Sequence, residues 1–132
     1  MMSWFISVLL SIWLGGAVVC AEANTLDKDH QIAIAAVIAN RVKHPNYPDT
    51  HTEVLMQHKQ FAPPCTSPTI DHIDSYIRGA LLNERPDWVT DSTVAFCTRE
   101  AAAKVMDVWR VRGLRPVKST LKKRVVFFND PS

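Results

Sequence analysis

At 132 residues, with 15 Lys and Arg against 13 Asp and Glu, the chain is long enough for one domain with a modest core and too evenly charged to single out nucleic acid as a partner. Its three cysteines, Cys20, Cys65 and Cys97, have no metal-type spacing, which argues against a zinc site. From Met1 to Ala21 no side chain is charged and no histidine occurs, and Trp4 to Val19 is almost wholly apolar. Such a run reads in two ways: as a signal-anchor that exports the protein or associates residues 1–21 with a membrane, or as a buried helix of the domain itself. A cleaved secretory signal fits less well, because the basic n-region is missing and the first basic side chain is Lys28. Ser3, Ser7, Ser11 and Gly15 recur every fourth residue, a small-residue stripe of the kind that lets helices approach closely.

The clearest helix spans Gln31 to Val42, where Ile34, Val37, Ile38 and Val42 form an apolar stripe behind Asp27 and Asp29, acids suited to a first turn. His44-Pro45-Asn46-Tyr47-Pro48-Asp49 breaks it, and Thr50 to Gln57 reads as a short helix capped by Thr50 or Thr52. Pro63, Pro64 and Pro68 make the next stretch a loop, after which Ile70, Ile73, Ile77 and Leu81 form a second helical stripe, ended by Asn83 to Pro86. Thr93 to Cys97 and Arg124 to Phe128 are β-branched and aromatic, so each reads as a strand, and the two are candidates to pair. Between them Thr98 caps a helix whose expected buried side is Val105, Val108, Trp109 and the stem of Arg112, with Gly113 at its end. The resulting fold class is mainly α, an α+β domain with a small β element.

Two side-chain patterns leave alternatives open. Cys65 and Cys97 either pair, if the chain is exported, or are two ordinary buried thiols. His30, His44, His51, His58 and His72 stand at multiples of seven, but the intervening prolines prevent one helix from aligning them, so no metal site is expected.

A longer pattern runs through these elements. Glu22-Ala23 is followed, nine residues on from Glu22, by Gln31-Ile32-Ala33-Ile34-Ala35-Ala36-Val37-Ile38-Ala39-Asn40-Arg41-Val42. Tyr47-Pro48-Asp49-Thr50, Val54 and Gln60-Phe61 come next in order, then, more loosely, Ala80 to Asn83, Pro86-Asp87 and Val94-Ala95-Phe96. In this order and spacing the sequence resembles the SleB-type cell wall hydrolases over about residues 17–128, which makes residues 17–132 the candidate hydrolase domain. The resemblance implies a lysozyme-like single domain that needs no cofactor and cleaves peptidoglycan glycan strands. It also implies an exported or envelope location, whether in a bacterium or delivered by a phage. In that family Glu22 corresponds to the catalytic acid. Two positions depart from the pattern: Leu26 stands where the family usually has a second Glu, and Asn24-Thr25 replaces Arg-Gly.

The chemistry fits a lone carboxyl. Breaking a glycosidic bond needs an acid that is still protonated near neutral pH, and Glu22, after Val18, Val19, Cys20 and Ala21 at a helix end, is expected to gain that proton affinity from apolar surroundings and the negative end of the helix. Cleavage after Ala23 would remove Glu22, so an active enzyme keeps the apolar segment. Hydrolysis proper needs a second carboxylate, whereas a lytic transglycosylase reuses the same Glu as base, and the absence of an acid at Leu26 favours the second route. Gln60 and Phe61 are the expected lining of a sugar groove, and Tyr47 and Trp88 are candidate sugar platforms. Asn40 and Arg41 are expected to hold the groove loop rather than touch substrate. The competing class is an inactive wall-binding protein of the same fold.

Overall fold

The computed structural model describes residues 2–57 and 65–131, the side chains of residues 2–5 and 7 excepted. The chain is mainly α with one small antiparallel sheet and divides into two compact units, Met1–Pro86 and Asp87–Ser132.

The helical unit contains α1 (Met2–Ala23), α2 (Lys28–Lys43), α3 (His51–Leu55) and α4 (Ile70–Tyr76), the last continuing into a π-helical turn at Ile77–Leu81. Helix α2 begins where Asp27 caps it, its carboxylate accepting from the His30 amide at 2.9 Å. It is buried on all sides: Gln31 through Arg41 are without exception removed from solvent, polar residues included. Thr50 caps α3 in the expected way, accepting from the Glu53 amide at 3.2 Å, and Thr69 caps α4 in a reciprocal box with His72. Lys28 joins the start of α2 to α4 through Asp71 and Asp74, each 2.8 Å away.

Helix α1 is built into this unit at its C-terminal half. Ala17, Val18 and Val19 have no exposed surface, Ala23 has almost none, and the Ala17 carbonyl accepts from the Cys65 amide. The small-residue stripe, at its described end, faces α4: a side chain at Gly15 would collide with the Tyr76 ring, and the hydroxyls of Ser11 and Tyr76 are 3.4 Å apart. Towards its start the helix exposes Leu9, Leu10 and Trp13. Among the described residues, no helix is long and apolar enough to cross a membrane.

Two expectations change here. Cys65 is bonded to Cys20, not to Cys97, which is an unpaired thiol. Helix α1 and the chain leading to α4 bring the Cα atoms of Cys20 and Cys65 to 6.0 Å, the separation a disulfide needs, and sequence spacing alone does not carry that information. The apolar stripe of α4 is also not its buried face: Ile70 is 86% exposed and Leu81 43%, while His72, Ser75, Tyr76 and Gly79 turn inward. Ile73, within the stripe, lies against Gly16 of α1, Ile70 sits at the helix start, and the π-helical turn, which widens the winding after Tyr76, shifts the phase only towards Leu81.

The sheet unit contains β1 (Thr93–Thr98), α5 (Arg99–Val111), the short β2 (Arg115–Pro116) and β3 (Val125–Asn129), in sheet order β1-β3-β2. The two expected strands do pair, antiparallel, with Ala95 opposite Phe128 and Cys97 opposite Val126. Successive residues of a strand face opposite sides. Phe128 therefore meets Trp109 of α5 at 4.7 Å between ring centres, while Phe127 meets Trp88 at 4.9 Å and Phe96 at 5.8 Å. Thr98 caps α5 as expected, but the inner face of the helix is Ala102, Met106 and Trp109, and Val108 is 54% exposed. Gly113, at φ +93°, closes α5: its amide bonds the Arg110 carbonyl and the Leu114 amide that of Trp109.

Candidate active site

Glu22 lies in the last turn of α1, half-buried, between the buried Cys20 and Ala23. Three features of the helical unit fix that turn. The disulfide holds it two residues before Glu22. Leu26 folds back, its amide donating to the Ala23 carbonyl at 3.0 Å. Gln31, itself buried, completes the hold: its Nε2 donates to the carbonyls of Ala23 and Leu26 at 3.4 and 3.3 Å, and its Oε1 accepts from the Ser75 hydroxyl at 2.8 Å. A buried amide satisfied on both ends has one orientation, so α2 and α4 jointly set where α1 ends.

Helix α2 also carries a buried charge, Arg41, which is 4% exposed. Burial pushes its guanidinium down from the ordinary value, and Tyr47 and Glu22 act in the opposite sense. Electrostatic coupling of this kind is mutual, so Glu22 has a cationic neighbour as well as the apolar lining its sequence context suggested. The guanidinium carbon also stands 5.0 Å from the centre of the Tyr47 ring, a cation–π distance, and His44 meets that ring edge-on at 5.4 Å. Arg41 therefore connects the candidate acid to the loop after α2, and it does so through charge and a ring face. Asn40, its neighbour, accepts from Arg85 at 3.3 Å.

Of the residues singled out by sequence, Glu22 and Tyr47 are thus brought around Arg41, while Gln60 and Phe61 lie outside the described residues. Trp88 belongs to the sheet unit, where it packs against Phe127 and has the Lys123 ammonium 4.5 Å over its ring. Among the described residues no group of His, Cys, Asp and Glu is arranged to hold a metal ion. Other acids of the helical unit have structural tasks: Asp27 caps α2 and contacts the His30 ring at 2.7 Å, Asp29 lies in the first turn of α2, and Glu53 accepts from the Thr50 hydroxyl at 2.9 Å. Sequence reasoning gave Gln31 no part in the site and Arg41 only a loop-holding one; the signal of the larger part is a polar side chain within the apolar run of α2.

Comparison with known proteins agrees with the pattern read from the sequence. The Cell Wall Hydrolase family matches residues 27–128, a stretch that begins just after Glu22 and takes in Gln31, Arg41 and Tyr47. Neither the comparison with curated proteins nor that with solved structures found a match.

Proposed function

The chain belongs to the cell wall hydrolase family, whose activity is breakdown of the bacterial wall, and on that premise we propose that it cleaves peptidoglycan glycan strands between N-acetylmuramic acid and N-acetylglucosamine as a lytic transglycosylase. The observation that carries the proposal is Glu22 itself, a half-buried carboxyl held by a fixed turn and coupled to the buried Arg41.

In the first half of the reaction Glu22 gives its proton to the glycosidic oxygen, the bond from muramic acid C1 breaks, and positive charge develops on the ring. In the second half the carboxylate left behind takes the proton of the 6-hydroxyl of the same muramic acid, whose oxygen closes onto C1. The products are a 1,6-anhydro end and a free glucosamine 4-hydroxyl, and no water is consumed. Arg41 supports the interval between the halves, when Glu22 carries the charge. The one-carboxylate route is favoured because Leu26 offers no second acid, Asp27 is engaged as the cap of α2 and Glu53 accepts from the Thr50 hydroxyl. Tyr47, positioned by Arg41, is the sugar platform of this reading, and the wall is reached from an exported or envelope location.

The test is digestion of purified peptidoglycan by the intact chain and by Glu22→Gln, with mass spectrometry of the released fragments. Anhydro ends from the intact chain alone are expected, with activity of the variant lower by about two to four orders of magnitude. Reducing ends only would sink the transglycosylase mechanism, and binding without release by either protein would point to the inactive wall-binding class.

A further inference from the structure

A second cleft lies in the helical unit, with a volume of about 350 Å³, and none of the residues placed around Glu22 lines it. Its apolar lining is Val8 and Ile12 of α1 and Leu81 of the π-helical turn. Its polar lining includes Asp49, Thr50, His51 and Thr52. His51 has a buried Nε2 with no hydrogen-bond partner among the described residues. A buried ring nitrogen without a partner is destabilising, and a ligand hydroxyl would satisfy it. Desolvation lowers the proton affinity of His51, the Ala80 carbonyl acting against it, so the ring is neutral at physiological pH; with its one N–H given to that carbonyl, Nε2 is an acceptor for a ligand hydroxyl.

Apolar side chains and hydroxyl-binding groups lining one small cleft match a pyranose, which has a C–H face and a rim of hydroxyls. The size, at the lower end of ligand pockets, suits a single ring. Ser11, which also lines the cleft, precedes Glu22 by eleven positions on the same helix, about 16 Å along its axis at 1.5 Å per residue. A disaccharide is too short to cover that length. We propose that this cleft is a distal sugar subsite that holds one N-acetylhexosamine ring of the glycan strand, remote from the bond cut at Glu22. The assignment rests on the glycan-cleaving reading for its choice of ligand.

The test uses a β-1,4-linked N-acetylglucosamine tetramer as probe and the full chain as protein. In solution NMR, titration is expected to shift the amides of Val8, Ile12, His51 and Leu81. Leu81→Trp, at a position 43% exposed where added bulk need not disturb the core, fills the cleft, and His51→Phe removes the ring nitrogens. Each is expected to raise KM on long glycan strands about tenfold, the effect of one lost sugar contact, with kcat unchanged and short fragments cleaved as before. Shifts that map elsewhere, or a KM indifferent to Leu81→Trp, overturn the subsite while leaving catalysis at Glu22 intact. Shifts at the cleft in a chain that releases nothing from wall would keep the sugar site and remove the enzymatic reading.

Discussion

The helical unit buries Gln31, Asn40, Arg41, His72 and Ser75, whereas the sheet unit buries two threonines and otherwise closes on aliphatic and aromatic groups around Phe127 and Phe128. The helical unit is also cross-linked between Cys20 and Cys65, while Cys97 in the sheet unit is an unpaired thiol whose proton affinity burial raises. Apolar packing is non-directional and tolerates small shifts, but a buried amide or guanidinium is stable only in the geometry that satisfies it. The sheet unit thus has the composition of a packing element. The helical unit has that of a positioning element, and Gln31, bonded to Ser75, holds the turn that carries Glu22.

The largest expected effect comes from the cross-link. Opening a loop of 45 residues by Cys20→Ser, or by reduction, should cost about 4 kcal/mol in the loop-entropy picture. Chemical denaturation gives the size, and hydrogen exchange resolved by segment gives the place. Protection should fall in α1 and α4 and persist in β1 and β3. Equal loss in both units would break the contrast, since it would mean that they unfold as one.

Arg41→Met comes next. It keeps the bulk of the side chain and removes the charge, leaving Tyr47 without its cation and Glu22 without its counter-charge, at a cost of roughly 3 kcal/mol for undoing a buried charge interaction. Wall cleavage should fall at least tenfold through kcat. Arg41→Lys should recover little, because an ammonium cannot spread its charge along the Tyr47 face as a guanidinium does. A variant as active as the parent would show that Arg41 only fills space.

How much of this could be read from sequence depended on whether the governing contact was local. Caps were legible: Asp27, Thr50 and Thr98 act within three residues of themselves. So were the two strands, whose β-branched and aromatic runs have no helical alternative. Periodicity failed where the helix is not half-buried. Helix α2 is enclosed on all sides, so its stripe marked only part of the buried surface, and on α4 the stripe holds at Ile73, against Gly16, but not at its ends, Ile70 and Leu81. On α5 the contact with Phe128 selects Ala102, Met106 and Trp109 over the more hydrophobic Val108. The candidacy of Glu22 rested on a family resemblance, because a half-buried carboxyl at a helix end carries no local signal of its own. The roles of Gln31 and Arg41 required knowing that Ser75, forty-four residues along, and Glu22 would come to meet them.

The smallest effect is the most specific to one unit. The Tyr76 hydroxyl, buried against α1, has its pKa pushed up from 10.0 to about 12, mainly by burial, with Ser11 pulling the other way. The folded chain therefore keeps this proton where the unfolded chain releases it. The contribution to stability is complete below pH 10 and is lost as pH rises from there towards 12, by roughly 2 kcal/mol at about 1.4 kcal/mol per pKa unit. Tyr76→Phe should flatten that part of the profile, at the expense of about 1 kcal/mol or less near neutrality for the contact with Ser11. Both tyrosines of the chain, Tyr47 and Tyr76, lie in the helical unit, so tyrosinate absorbance reports on that unit alone. Denaturation midpoints between pH 8 and 12, taken for parent and variant, isolate Tyr76 as their difference. A constant difference would mean that Tyr76 is wetter than its packing against Gly15 implies, and would weaken the case for a rigid α1–α4 contact beneath the turn of Glu22.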